Sequence, residues 1–333
     1  MKISLILPAY NVEQYISICL DSILKQTHRN FEALIMDDGS KDKTLQILKE
    51  YARKDKRIKV FTHKNAGVTR SRNELLNKIS NDTDAIFYLD TDDMIHPKTL
   101  ETLAYYMKKY KADVVECCLD RMEAHTVLPE YKEVKYPRKN IKVLDDMSIF
   151  WSNKTRIGPW INIWNKLYRW DKVKHLRFSD KLAYEEDYFY GCLVHDTISR
   201  KVLIPDVLYY YRKNPTSVNG QLNFERYIRT TANRIQLSYD TFLKTGKVPE
   251  KYRSDFEYDL ANDCYRMVIR KNLKKNKNLK NCEKMFLYSA NYINHFYDDK
   301  IVQFNRLNLI KRWMVFLTRH HQFLLAKVLV QLT

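Results

Sequence analysis

Ile3-Ser4-Leu5-Ile6-Leu7-Pro8-Ala9-Tyr10-Asn11 sets a short β-rich run against a polar turn, the pattern of a buried strand ending at the rim of a sheet. Directly after it, Val12, Tyr15, Ile16, Cys19, Leu20, Ile23 and Leu24 recur at helical spacing. Asn11 stands as the expected N-cap of that helix, with Gln14 three residues on as in a capping box. Glu32–Met36 predicts a second buried strand, and Lys59-Val60-Phe61 and Ala85–Leu89 predict two more. Helical patterns separate them: Leu45, Leu48 and Tyr51, then Leu75, Leu76 and Ile79 after Gly67. A fourth helix is expected to open with Pro97 at its first position and to carry Leu100, Leu103 and Met107. Such alternation requires a parallel, doubly wound sheet, whose ligands bind at the carboxyl ends of the strands. Those ends here are Pro8-Ala9-Tyr10-Asn11, Asp37-Asp38-Gly39-Ser40 and Asp90-Thr91-Asp92-Asp93. They bring one aromatic ring and several carboxylates to one crevice.

Outward from this block the pattern changes. Residues 111–215 mix short β-like runs (Asp113-Val114-Val115-Glu116, Val202-Leu203-Ile204) with loops and hold Trp151, Trp160, Trp164 and Trp170. From about residue 224 the chain reads as helical and basic, without repeats or a low-complexity linker. At 333 residues, 45% of them hydrophobic, the chain has material for about two domains and a core that needs no staples. Its 24 Tyr fit thick mixed cores, and equally a cleft for a ring-shaped ligand. Six Cys show neither Cys-x-x-Cys pairs nor zinc spacing and read as reduced thiols. The first apolar run is too short, and broken by Pro8, for a signal peptide, and no window is long enough for a spanning helix. Residues 1–199 carry 33 basic and 29 acidic side chains, whereas residues 200–333 carry 25 and 11, a local balance of +14. A charge so placed calls for an anionic partner, nucleic acid or membrane. No helix-turn-helix or RNA-recognition pattern accompanies it, which argues against nucleic acid.

Asp90-Thr91-Asp92-Asp93 puts hard oxygen ligands at a strand end. Mg²⁺ or Mn²⁺ takes one or two such carboxylates and fills its other positions with water and phosphate oxygens. By itself the motif reads as a solvated acidic turn before the helix opened by Pro97.

Taken together, Ser4–Asn11, Ser22-Ile23-Leu24-Lys25-Gln26-Thr27, Met36–Asp42, Asn65-Ala66-Gly67 with Arg72-Asn73, and Leu89–Asp93 resemble, in order and spacing, the N-terminal half of the family 2 glycosyltransferases. The resemblance implies a GT-A fold, a Rossmann-like doubly wound mixed sheet with, here, a mainly helical C-terminal extension. It divides the chain into a nucleotide-sugar-binding half (1–110), an acceptor-binding half (111–220) and a basic helical region (221–333). It also implies that Pro8, Ala9, Tyr10 and Asn11 line the nucleotide, with Tyr10 stacking on the base, usually uracil. Asp38 would accept a hydrogen bond from that base, Asp90 would hold the ribose, Asp92 the metal, and Asn65 and Arg72 would lie along the nucleotide sugar.

Inverting members take their base from a Glu-Asp pair before a helix. Tyr184-Glu185-Glu186-Asp187 fits, with Asp187 as base and Glu186 supporting the acceptor. Adjacent carboxylates also raise one another's pKa, which suits a base. Asn165-Lys166-Leu167-Tyr168 resembles the segment before that pair, with Lys166 an acceptor or phosphate contact. Tyr209-Tyr210-Tyr211-Arg212 with Ser217 resembles the closing segment whose Arg and Ser reach the diphosphate, although Asn214 stands where many relatives have His.

Leu309–Leu317 and Phe323–Val330 form an apolar, cation-edged tail, the signature of a helix lying in a membrane interface or packed on protein. The expected enzyme is metal-dependent and sits at the inner face of the membrane. It takes a UDP-sugar and a saccharide or lipid-linked saccharide acceptor, and makes capsule, lipopolysaccharide or another cell-surface glycan. The competing reading is an inactive binding or scaffold protein on the same fold. A nucleotidyltransferase is disfavoured, because the Gly-rich, Arg-Lys loop for a triphosphate is absent.

Overall fold

The computed structural model describes residues 1–124, 126, 131, 134, 140–147, 162–182, 185–214, 224–269, 279–303, 305, 307–320 and 326. These fall into two compact units, one from Met1–Met147, Asn162–Asp180 and Tyr190–Gly220, the other from Ser148–Ile161, Lys181–Phe189 and Gln221–Thr333.

The first unit begins with β1 (Ile3–Ala9), α1 (Ile16–Leu24), β2 (Phe31–Asp37), α2 (Thr44–Lys54), β3 (Ile58–Thr62), α3 (Val68–Leu76) and β4 (Ala85–Tyr88). It continues through β5 (Met94–Ile95), α4 (Thr99–Tyr110), β6 (Val114–Met122), β7 (Lys142–Leu144), β8 (Lys166–Arg169) and α5 (Trp170–Val173). Helix α6 (Glu186–Thr197), which enters this unit at Tyr190, and the long β9 (Lys201–Arg212) close the series. All nine strands join one sheet, ordered β3-β2-β1-β4-β8-β6-β9-β5 with β7 on β9. The first four are parallel, β8 is antiparallel to both its neighbours, and β6 and β9 are parallel. The sheet is therefore mixed, as the family resemblance implies, and its purely parallel part is the half where strand and helix alternate.

Burial explains the double winding. Every residue of β2 is buried, so its alternate side chains feed two cores. Ile3, Leu5, Leu7, Ala33 and Ile35 pack with Ile16, Leu20 and Ile23 of α1, Leu48 of α2 and Leu103 of α4. Ile6, Leu34, Met36, Ile86 and Tyr88 meet Leu75 and Leu76 of α3 and Tyr190 and Val194 of α6 on the other face. Much of the tyrosine content is spent here: Tyr88 donates to the Tyr190 hydroxyl at 2.9 Å, and Phe178 stacks on Tyr190 at 4.1 Å.

Two local expectations are corrected. Asn11 is not the N-cap of α1, which starts at Ile16; it takes φ +51 and is occupied by the neighbouring loop. Pro97 lies two residues before α4, in the turn that leads into it.

The second unit contains α7 (Phe224–Ser238), a π-helical turn (Tyr239–Leu243), α8 (Glu250–Ile269), α9 (Leu279–Asp298) and α10 (Leu309–Arg319). Ile228, Ile235, Phe242, Phe256, Phe286, Ile293 and Met314 are among its buried residues. No helix among the described residues is long and apolar enough to cross a membrane. Cys19, Cys117, Cys118, Cys192 and Cys264 are all free thiols, and only Cys118 is exposed.

At the amino-terminal rim of the sheet one buried carboxylate gathers several donors. Glu32 accepts from Ser4 Oγ at 2.7 Å, Ser80 Oγ at 2.7 Å, Ser80 N at 3.1 Å and Lys59 Nζ at 2.6 Å. Burial alone would raise its pKa, but these bonds outweigh burial and hold it at about 2, against an ordinary 4.5. The depressed value means its contribution is present above about pH 4.5 and is lost as pH falls toward 2. The shift corresponds to about 3 kcal/mol. Glu32→Gln is expected to lower stability near pH 7 and to flatten that part of the acid-unfolding profile, read by urea melts at a series of pH values.

Candidate functional site

The carboxyl ends of the parallel strands lie in register, Ala9 beside Asp37 and Asp37 beside Thr62. The loops leaving them are laced together. Asn11 N donates to Ser40 Oγ at 3.0 Å, and Asn11 Oδ1 accepts from Lys41 N at 2.8 Å. Val12 N donates to Thr44 Oγ1 at 2.8 Å, and Lys43 N to Glu13 Oε2 at 2.8 Å. Tyr10 stands 43% exposed at the tip of β1, whereas Ala9 beneath it is buried.

The second loop binds the third. Both oxygens of the buried Asp38 accept backbone N–H groups, Ala66 at 2.6 Å and Gly67 at 2.9 Å, and His63 Nε2 lies 3.0 Å away. Asp38 thus fixes the Asn65-Ala66-Gly67 turn, which leaves Asn65 exposed. Gly39, at φ +69, is required for the approach: a Cβ there would lie 2.7 Å from Asn65 N.

The acidic turn after β4 is sorted by direction. Asp93 points inward, accepting from Tyr209 Oη at 2.5 Å and Arg212 N at 2.8 Å. Burial first, then Asp92 and Asp90, push its carboxyl well above the usual range. Asp90 accepts from Arg72 Nη2 at 3.1 Å, and Asp92 from Asn214 Nδ2 at 2.9 Å. Burial and the Asp90 charge raise the Asp92 carboxyl too, with Asn214 and Arg212 opposing. Thr91 Oγ1 ties the turn to Pro8 O at 3.0 Å. Two hard-oxygen groups in one turn fit a divalent cation that completes its shell with water and phosphate. Among the described residues no three His, Cys, Asp or Glu side chains form a self-contained metal cage.

Arg72 is buried, over the Phe178 ring at 5.3 Å. Its neighbour Asn73 clips Phe178 in place, donating to its O and accepting from its N, both at 2.9 Å. Arg212 is 2% exposed and holds the turn from behind: Nε donates to Asp92 O at 2.8 Å, and Nη1 to Ala124 O at 2.8 Å and Thr126 O at 2.7 Å. Its hydrogen bonds go to backbone carbonyls, so the structure gives this cation a positioning place instead of an open surface.

Lys166 is also internal. Its ammonium bonds Asn165 Oδ1 at 2.9 Å and Asn162 Oδ1, and lies 3.6 Å from Glu116, which Lys201 meets at 2.6 Å. Burial, with Lys201 adding and Glu116 opposing, lowers Lys166 to about 8. These partners replace the acceptor or phosphate contact expected of it, because a side chain 3% exposed has no open face.

Glu186 and Asp187 open α6 and belong to the second unit; Asp187 Oδ1 accepts from Tyr188 N at 2.8 Å. The expected trio of repelling carboxylates is altered. Glu185, at φ +61, is neutralised by the buried Arg234, which donates to it and to Asp263 at 2.7 Å each and lies 4.6 Å over the Tyr188 ring. Sequence reasoning missed Arg234, which sits about fifty residues downstream with no local signal; Asn214 was visible only as a departure from the family pattern. Tyr184 and Ser217 lie outside the described residues.

A cavity of about 800 Å³ opens at the other rim, lined by Ser80, Asn81, Asp84, Lys108 and Trp170 among others, and no predicted site residue reaches it.

Gly39→Ala is expected to destabilise the first unit by about 1–3 kcal/mol and to speed amide exchange at Ala66 and Gly67. Unchanged exchange there would mean the turn does not depend on that approach.

The model of the family described as Glycosyl transferase family 2 matches residues 4–162. The chain is 30% identical to glycosyltransferase GlyA of Streptococcus pneumoniae across 78% of its own length but only 38% of that relative. It is 28% identical to the uncharacterized glycosyltransferase EpsJ of Bacillus subtilis over 65% of this chain and 62% of the relative. The chain thus spans less than two thirds of both. Among solved structures, that of S. aureus TarS 1–349 in complex with UDP-GlcNAc superposes with a TM-score of 0.72 at 19% identity, covering 99% of this chain and 91% of that one. With its five ordered motifs and its GT-A architecture, the segment 4–162 belongs to glycosyltransferase family 2.

Proposed function

We propose that the protein transfers a hexose or N-acetylhexosamine from a UDP-sugar to a saccharide or lipid-linked saccharide acceptor, inverting the anomeric carbon, with Mn²⁺ or Mg²⁺, in the synthesis of capsule, lipopolysaccharide or another cell-surface glycan. The observation that carries this reading is the acidic turn, whose Asp90 is oriented by Arg72 and whose Asp92 is oriented by Asn214 at the carboxyl rim of the parallel strands. The UDP-GlcNAc complex of TarS, a structure of the same fold, supports a UDP-sugar donor.

In this reading Tyr10 stacks on the uracil, and Asp38, already fixed by two N–H donors, accepts from the ring N–H. Pro8, Ala9, Asn11 and Asn65 line the nucleotide, and Asp90 with Arg72 holds the ribose. Asp92 holds the cation, which when bound would neutralise the diphosphate. The Asp187 carboxylate takes the acceptor's hydroxyl proton. The hydroxyl oxygen then attacks the anomeric carbon while the bond to the diphosphate oxygen breaks, and that electron pair leaves with UDP. Arg212, behind the turn, offsets the departing charge, and Glu186 supports the acceptor. Residues 1–110 serve the donor and 111–220 the acceptor. The basic region 221–333 holds the enzyme against the anionic inner face of the cytoplasmic membrane.

A panel of nucleotide sugars incubated with purified protein, with and without Mn²⁺, tests this. Slow, metal-dependent hydrolysis of one UDP-sugar is expected. Asp187→Asn should lower turnover by about 10²–10⁴-fold while leaving UDP affinity in calorimetry nearly intact. Asp92→Ala should weaken UDP binding only when metal is present. UDP binding without turnover on any acceptor would favour a scaffold role, and no UDP binding at all would exclude the transferase reading.

A further inference from the structure

Ten large hydrophobic side chains are exposed among the described residues, and four of them fall within eight consecutive positions of α10: Leu309 at 71%, Ile310 at 46%, Trp313 at 58% and Phe316 at 48%. At 100° per residue, Leu309, Trp313 and Phe316 form one stripe along the helix, with Ile310 at its side. Trp313 and Phe316 touch edge to face at 5.6 Å, and His320 continues the stripe 4.3 Å from Phe316.

The opposite face of α10 is already used. Met314, Val315 and Thr318 are buried, and Lys311 turns inward to Asn262 Oδ1 at 2.7 Å and Tyr258 Oη at 3.3 Å. Arg319 reaches Asp298 at 3.2 Å and lies 3.5 Å over the Tyr297 ring, and Asn308 caps the start by accepting from Lys311 N at 3.0 Å. The helix is therefore fixed to its own unit along one side, which leaves a rigid apolar stripe facing solvent. Concentrated exposure of this kind marks an interaction surface.

We infer that Leu309, Trp313 and Phe316 enter the interface of an anionic lipid bilayer, with the exposed Arg312 at the level of the headgroups. The inference deepens the membrane contact proposed above and rests on it. Charge selects the occupant. Residues 200–333 carry 25 basic against 11 acidic side chains, which an anionic surface attracts. A second copy of the chain would bring an equal positive charge against the first and be repelled. Trp and Phe beside a cation also suit the boundary between headgroup and acyl chain. The second apolar stretch of the sequence, Phe323–Val330, lies outside the described residues except for the buried Ala326, as do Lys271, Lys274, Lys275 and Lys277.

Flotation of the full chain with vesicles of phosphatidylglycerol or of phosphatidylcholine, beside the variant Trp313→Ser/Phe316→Ser, tests the inference. Both replaced side chains are exposed, so circular dichroism and UDP-sugar hydrolysis are expected to match the parent. The parent should float with phosphatidylglycerol and not with phosphatidylcholine, and the variant should bind more than about tenfold more weakly. Equal binding by parent and variant would overturn the role of α10 and leave the membrane contact to another surface. Failure of the parent to bind phosphatidylglycerol would overturn both. Lipid-free dimers in light scattering that the variant abolishes would identify a second copy as the occupant and overturn the bilayer assignment.

Discussion

The candidate donor site depends on one buried carboxylate. Asp93 has no contact to offer a ligand, because both its oxygens face the last strand, where Tyr209 and the Arg212 backbone satisfy them. That bond pair stitches the turn after β4 to the end of β9, across strands distant in sequence. Arg212 then closes the other side by donating to the carbonyl of Asp92. A turn held in this way cannot relax when its carboxylates repel one another, so Asp90 and Asp92 are kept at the strand end, each on its own partner, Arg72 and Asn214. Uncoupled from β9, the three aspartates of the turn would spread apart in water.

The loops beside it follow the same logic at a smaller scale. Asp38 does not wait for a ligand; it accepts two N–H groups from the following loop, and Gly39 removes the Cβ that would keep the two loops apart. Little ordering would remain to be done if a nucleotide bound there as proposed, which would conserve binding free energy for contacts with the ligand itself. Beneath these loops the two-faced sheet supplies the rigidity, with β2 buried along its whole length.

Strand and helix alternation was legible from apolar spacing because each buried strand of the first half is short and bounded by polar turns. The acidic turns were legible because carboxylates at a strand end have few other uses. Asn11 was misread because a capping pattern and a loop-to-loop bridge ask for the same short amide, and only the packing of Ser40 and Lys41 decides between them. Long strands β6 and β9 were seen only as fragments: Asp120, Asp206 and Arg121 interrupt the apolar pattern at positions where the pairing is irregular or the edge meets water. Arg234 was out of reach, and Asn73 was seen only as part of a motif and not as the clip on Phe178, since each acts on a segment far away in the chain. Arg212 was found as a residue but not as a clamp, because sequence records a cation and not the carbonyls around it.

Lys166 shows how folding itself can preserve a motif. Glu116 stands between Lys166 and Lys201 within the sheet, and its loss would strand two ammonium groups in a place that water does not reach, whereas loss of Lys166 would leave the Glu116–Lys201 pair balanced. A substitution at Glu116 is tolerable only in concert with the lysines, so the three positions should drift through evolution as a linked set. Such linked drift would look like selection for a substrate contact to anyone reading Asn165-Lys166 alone, while the pressure comes from the electrostatics of three adjoining strands.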